Sequence, residues 1–210
     1  MKAGKKVIMI HVKDDLEKEE IMREIERLNL PAFIYVHGKL NSLKINIQGT
    51  KDEIREAIQK IREIQKRVHA RLYANKRGFY EYTLDDIFRG AQTTVSAPIL
   101  LKTLELMGED VRFDGVKLKT SLPWGEIVEL SRRMGDVLSQ ISLQTTRQIR
   151  EVVIPVAVVY NLDPEEVLER LMEIGAVEFK EDKFKYELVK NKEQALEMII
   201  KNLEDEGNED

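Results

Sequence analysis

The chain has 210 residues, 42% hydrophobic and 34% charged, with a formal net charge of −4. Zero cysteines exclude disulfides, thiolate metal sites and a cysteine nucleophile, and three scattered histidines argue against a histidine-based metal site. No apolar run approaches the roughly 18 to 20 residues of a membrane span, and the opening MKAGKKVIMIHVKDD passes from a short basic patch straight into charge, so a cytoplasmic protein with no membrane partner is expected.

Lys and Glu dominate the charged residues, a bias that ion-pair networks leave in heat-adapted proteins, and a thermophile is expected. The net charge hides an asymmetry. Residues 1–80 sum to +7 and residues 81–210 to −11, which makes the N-terminal part the candidate for binding a polyanion.

In chain order, KKVIMIHVK alternates as a strand, with Ile8, Ile10 and Val12 on one side and Val7, Met9 and His11 on the other. Asp14 followed by Glu17 forms a capping box for a helix over about 15–29 that buries Leu16, Ile21, Ile25 and Leu28. Leu30-Pro31 ends it, and AFIYVH with SLKINIQ predicts a β-hairpin around residues 38–41. Thr50 and Glu53 open a long helix whose Ile54, Ala57, Ile58, Ile61, Ile64 and Val68 share one buried stripe.

Residues 66–82, KRVHARLYANKRGFYEY, are the most function-like stretch: five Lys/Arg, one His and four aromatics against the single acid Glu81. Their first part finishes the helix, residues 74–77 turn, and residues 78–82 are expected as a last strand. The first domain, 1–82, would then be a ferredoxin-like β-α-β-β-α-β unit within an overall α+β chain. Its helices would cover one sheet face and leave the other open.

That open face would carry Phe33, Tyr35, His37, Lys44, Asn46 and Gln48. Sheets of this topology stack RNA bases on such aromatics, although strand three, LKINIQG, lacks the aromatic pattern of the commonest RNA-binding sheets. Arg55, Gln59, Arg62 and Lys66 form a basic helix stripe that runs into the basic-aromatic stretch. The expected nucleic-acid contacts are therefore Phe33, Tyr35, Lys44, Arg55, Arg62, Lys66, Arg71, Lys76 and Arg77.

Beyond residue 82 a repeat runs at a spacing of 67. Ser96, Leu101, Leu104, Met107 and Gly108 match Asp163, Leu168, Leu171, Ile174 and Gly175, and each glycine is followed by a short hairpin and a helix. A helix-hairpin-helix region is expected over 83–143, a winged-helix-like region over 144–203, and a disordered acidic tail over 204–210. In the second copy Ala157 marks the helix crossing, Asn161-Leu162 the turn and Asp163-Pro164 the next cap.

That next helix carries Glu165, Glu166, Glu169 and Glu173 against Arg170 alone, which repels phosphates and favours protein contacts. The run VVIPVAVVY suits strand and helix alike, and the helix-turn-helix spacing selects helix. Trp124 is expected in a core stripe with Ile127, Met134, Leu138 and Ile141.

No dinucleotide, P-loop, zinc-protease or nucleophile-elbow motif occurs, so no catalytic residue, metal or cofactor is assigned. His11 and His37 are expected on one side of the sheet near Lys44, as solvated strand histidines. With KKVIMIHVKDD leading into a helix and a Lys/Glu-rich body throughout, the chain resembles an archaeal conserved family of uncharacterised proteins, a domain of unknown function; the resemblance implies an archaeal, cytoplasmic setting. The expected function is non-enzymatic RNA binding through the basic stripe and open sheet face. The alternative is a protein-interaction module or homodimer that buries that face without nucleic acid.

Overall fold

The computed structural model describes residues 3–209; Met1, Lys2 and Asp210 lie outside the described residues, and with them the first lysine of the basic opening and the last acid of the tail. The chain is α+β and forms two compact units, Met1–Glu81 and Tyr82–Asp210.

The first unit contains β1 (Gly4–His11), α1 (Asp15–Glu26), β2 (Phe33–Lys39), β3 (Ser42–Gly49) and α2 (Lys51–Leu72). The helices start where local chemistry provides caps. Asp14 accepts from the Glu17 amide, and Thr50 and Glu53 satisfy each other's backbone amides in a full capping box. The strands form an antiparallel sheet in the order β1-β3-β2, in a register that sets Ile8, Ile45 and Val36 in one row and Met9, Lys44 and His37 in the next.

Period-two alternation then decides what is buried. Ile8, Ile10, Leu43, Ile45 and Ile47 pack beneath Ile21 and Ile25 of α1 and Ala57, Ile61, Ile64 and Val68 of α2. Leu16, expected in this core, is exposed.

The expected fourth strand is not in this sheet. β4 (Tyr80–Thr83) joins a three-stranded sheet with β5 (Val111–Phe113) and β6 (Lys117–Thr120), in the order β4-β6-β5. The cause is Tyr82: its ring is fully buried 5.4 Å from that of Trp124, and its hydroxyl donates to the Leu122 carbonyl at 2.8 Å. An aromatic with a satisfied polar tip anchors the strand there, so the first sheet has three strands and the first unit reads β-α-β-β-α, without the expected last strand.

The second unit continues with α3 (Leu84–Ala91), α4 (Ala97–Leu106), α5 (Trp124–Ile141), α6 (Arg147–Val159), α7 (Pro164–Glu173), β7 (Val177–Lys180), β8 (Lys185–Leu188) and α8 (Lys192–Gly207). Residues 152–158 of α6 are buried on every side, which is why their β-branched run reads as strand or helix in sequence. α6 packs against α4, α5, α7 and α8 and forms the centre of this unit.

The repeat at 67 residues has a structural counterpart. α4, β5, β6 and α5 recur in the same order as α7, β7, β8 and α8. Both glycines are left-handed, with φ of +77° at Gly108 and +78° at Gly175. Around them the same bonds recur: Gly108 to Glu105 and Glu109 to Leu104 in one copy, Gly175 to Met172 and Ala176 to Leu171 in the other. The heads of the copies differ in extent: β4 pairs with β6 as a strand, whereas Thr145, outside any strand, makes a single parallel bridge to Tyr186 of β8.

The acidic end departs from expectation. α8 runs on through Glu204, Asp205 and Glu206 to Gly207. Arg170 holds this turn, donating to Glu206 at 2.6 Å and to Asn202 one helical turn earlier at 3.4 Å. The two carboxylates of Glu206 and Glu166 push the guanidinium pKa up.

Candidate functional site

The uncovered face of the β1-β3-β2 sheet is built by the register. Its four rows are Lys5-Gln48-Phe33, Val7-Asn46-Tyr35, Met9-Lys44-His37 and His11-Ser42-Lys39. Phe33 is 66% exposed and Tyr35 57%, and Val7 and Met9 are exposed beside them. Three lysines and two histidines stand among these twelve residues, and no Asp or Glu does. An aromatic pair on a cationic, acid-free sheet offers stacking surfaces and phosphate partners together. His37 lies directly beside Lys44, and His11 one row further along.

The basic stripe lies elsewhere. α2 turns Ala57, Ile61, Ile64 and Val68 toward the sheet, so Arg55, Gln59, Arg62 and Lys66, all exposed, fall on the opposite side of the helix. The stripe and the open face are thus on opposite surfaces of the first unit. Lys76 and Arg77 are exposed in the turn after α2, which Asn75 organises by accepting from the amides of Arg77 and Phe79.

Arg71 corrects the expected contact set. Its side chain is only 3% exposed and is committed to Glu20 at 2.9 Å and Glu24 at 3.8 Å of α1. A guanidinium buried against two carboxylates is a helix–helix cross-link and has no reach to a phosphate.

Arg71 belongs to a polar seam between α1 and α2 that spacing along one helix does not reveal. Glu24 also accepts from Arg67 at 2.7 Å. Glu17 is buried and uses both oxygens, accepting from the Lys13 amide at 3.0 Å and bonding His69 Nδ1 at 2.6 Å. Tyr73 donates to Asp14, Lys13 Nζ sits 4.4 Å from the centre of the Tyr73 ring, and the His69 ring lies 5.0 Å away. The Tyr73 bond, with help from the Glu17 amide, holds the Asp14 carboxyl below its usual pKa; burial and Asp14 push the Tyr73 hydroxyl up.

In the second unit the polar clusters serve structure. Thr146 caps α6, the Thr145 hydroxyl donates to the Ile141 carbonyl at 2.6 Å, and Gln92 is the left-handed residue that ends α3. Thr93 occupies the space a side chain on Gly135 would need. Trp124 is half-buried, with Ile127, Met134 and Ile141 of its stripe fully buried. α7 presents Glu165, Glu169 and Glu173 to solvent. The second hairpin carries Phe179 against Tyr186 at 5.0 Å and an exposed Phe184 with φ of +51°.

Among the described residues no group of three or more His, Cys, Asp or Glu side chains is placed to hold a metal ion, and no helix is long and apolar enough to cross a membrane. No curated protein and no solved structure matches the chain. A family of uncharacterised proteins conserved in archaea, DUF2067, matches residues 10–197, from the end of β1 into α8. That match covers both units, and the chain belongs to this archaeal family.

Proposed function

We propose that the protein binds RNA through the uncovered sheet face of its first unit, a ferredoxin-like domain lacking its fourth strand. One observation carries this reading: Phe33 and Tyr35 stand exposed on a face that holds Lys5, Lys39, Lys44, His11 and His37 and no acid. Bases stack on the two rings, and Lys44 at the sheet centre takes a phosphate. Arg55, Arg62, Lys66, Lys76 and Arg77 make a second cationic surface that a longer strand reaches by passing round the unit.

The second unit reads as a helix-hairpin-helix region followed by a winged-helix-like region, related by the repeat at 67 residues. Its acidic α7 directs it to protein contacts in a cytoplasmic assembly.

The test is a binding series at low salt against single-stranded RNA, structured RNA and duplex DNA. Replacing Phe33 and Tyr35 together by Ala is expected to weaken single-stranded RNA binding about tenfold or more, the worth of losing two stacking platforms. Absence of binding at low salt, or binding indifferent to that double substitution, overturns the assignment to this face.

A second reading follows from Val7 and Met9, apolar and exposed beside the aromatics: the same face pairs with a second copy. Solution mass decides it. A dimer that Phe33→Glu converts to monomer supports self-association, and a monomer unaffected by Phe33→Glu removes it.

A further inference from the structure

The seam between α1 and α2 contains one group that a structural latch does not need. Glu17 is buried with both oxygens occupied, and an ionised carboxylate only accepts hydrogen bonds, so His69 Nδ1 carries the proton in the 2.6 Å contact. That contact sets the tautomer of a neutral ring, in which Nε2 is the nitrogen able to accept a proton. That side chain is 56% exposed. A partly exposed histidine oriented by a buried carboxylate is the base half of the arrangement used for proton abstraction.

Its surroundings suit an anionic substrate. Arg55, Arg62 and Lys66 lead along the outer side of α2 toward His69, over about 21 Å at 1.5 Å per residue. Lys13 Nζ and the His69 ring flank the same Tyr73 ring, at 4.4 and 5.0 Å from its centre. The Tyr73 hydroxyl is committed to Asp14, so Lys13, held against the same ring, is the candidate proton donor. Glu17 and His69 are 52 residues apart, and no local motif announces such a pair.

We infer that the first unit cleaves RNA that reaches the cationic outer surface of α2, by metal-independent transesterification with His69 as general base; this rests on the RNA reading above, in which a longer strand passes from the sheet face round to that surface. His69 Nε2 takes the proton of a ribose 2′-hydroxyl, and the 2′-oxygen bonds to the adjacent phosphorus as the bond from phosphorus to the 5′-oxygen breaks. The departing 5′-oxygen takes a proton from Lys13, which regains one from water when His69 releases its own. The products are a 2′,3′-cyclic phosphate and a 5′-hydroxyl end, with nothing oxidised or reduced. Glu17 is the positioning residue, holding the tautomer and stabilising the imidazolium.

The experiment uses the full chain in excess over end-labelled single-stranded RNA in EDTA. Cleavage to cyclic-phosphate ends is expected, and none on DNA of the same sequence, which lacks the 2′-hydroxyl. His69→Asn is expected to slow cleavage about 100-fold or more while RNA affinity stays within about twofold, the range for losing a general base. Glu17→Gln is expected to slow it less and to move the acidic limb of the rate-against-pH profile, a readout that mere loss of packing does not shift. A melting curve on each variant identifies failure to fold, and Lys13→Met, exposed and outside the core, supplies an independent slow variant.

RNA bound but left intact by the wild-type chain overturns this inference and leaves the binding reading standing. Cleavage that survives His69→Asn also overturns it. Absence of RNA binding removes both.

Discussion

The two units solve opposite problems with similar elements. The first covers one face of a sheet and leaves the other bare, and it joins its two helices through a polar seam, with Glu20 and Glu24 paired to Arg71 and Arg67 and Glu17 bonded to His69. The second surrounds the apolar half of α6, residues 152–158, with other helices. Stability in the first unit is consequently tied to charge state, and in the second to packing. A protein that presents a cationic surface from the first unit concentrates its electrostatic sensitivity there.

Removing one side of the ionic seam gives the largest expected effect. Arg71→Ala leaves Glu20 and Glu24 without their buried cation and is expected to cost about 3 kcal/mol. The sole tryptophan, Trp124, belongs to the second unit, so circular dichroism in urea should shift while the tryptophan transition stays in place. Coincident shifts by both probes would contradict the division of roles.

The converse change is smaller. Tyr82→Phe deletes the donor to the buried Leu122 carbonyl and is expected to cost about 1–2 kcal/mol, read this time by Trp124 fluorescence, since the two rings touch.

The smallest effect depends on pH and sets the first unit apart. Asp14 titrates below its ordinary 3.8 when folded, so its contribution is present above that value and is lost as pH falls through the folded pKa. Tyr73 titrates above its ordinary 10.0, so its contribution is present below that value and is lost as pH rises through the folded pKa. Tyr73→Phe should therefore lower the urea midpoint by a constant amount between those two values, with the difference from wild type shrinking outside them. A difference that does not change with pH would mean that the Tyr73–Asp14 bond carries no stability.

Much of this comparison can be read from the chain. Alternation in KKVIMIHVK, FIYVH and LKINIQ placed Val7, Met9, Phe33, Tyr35 and Lys44 on one face, because period two leaves a half-buried sheet no other assignment. The caps at Asp14, Thr50 and Asp163 were legible because each rests on contacts a few residues apart, although at Asp14 only half of the expected box forms, the Glu17 carboxylate accepting from the Lys13 amide instead. The destination of residues 78–82 was not. YEYT pairs as well with one sheet as with another until the buried partners of Tyr82, some 40 residues on, are known.

The misreading of Arg71 has the same origin. On α2 alone it continues a basic run, and only the matching acids Glu17, Glu20 and Glu24 on α1 show that part of that run turns inward. Two oppositely charged stripes on successive helices were the available signal. The tail of α8 was misjudged because composition sees seven acidic and small residues, whereas Arg170 supplies the counter-charge from another helix.

The fate of β4 also determines where the polypeptide can be divided for study. A fragment of the second unit beginning at residue 83 would discard Tyr82, the buried ring whose hydroxyl binds Leu122, together with an outer strand of its sheet. Such a fragment is expected to be poorly folded for reasons unrelated to its own helices. Scission inside the exposed turn at residues 74–78 spares both sheets, because α2 has already ended at Leu72 and β4 begins at Tyr80.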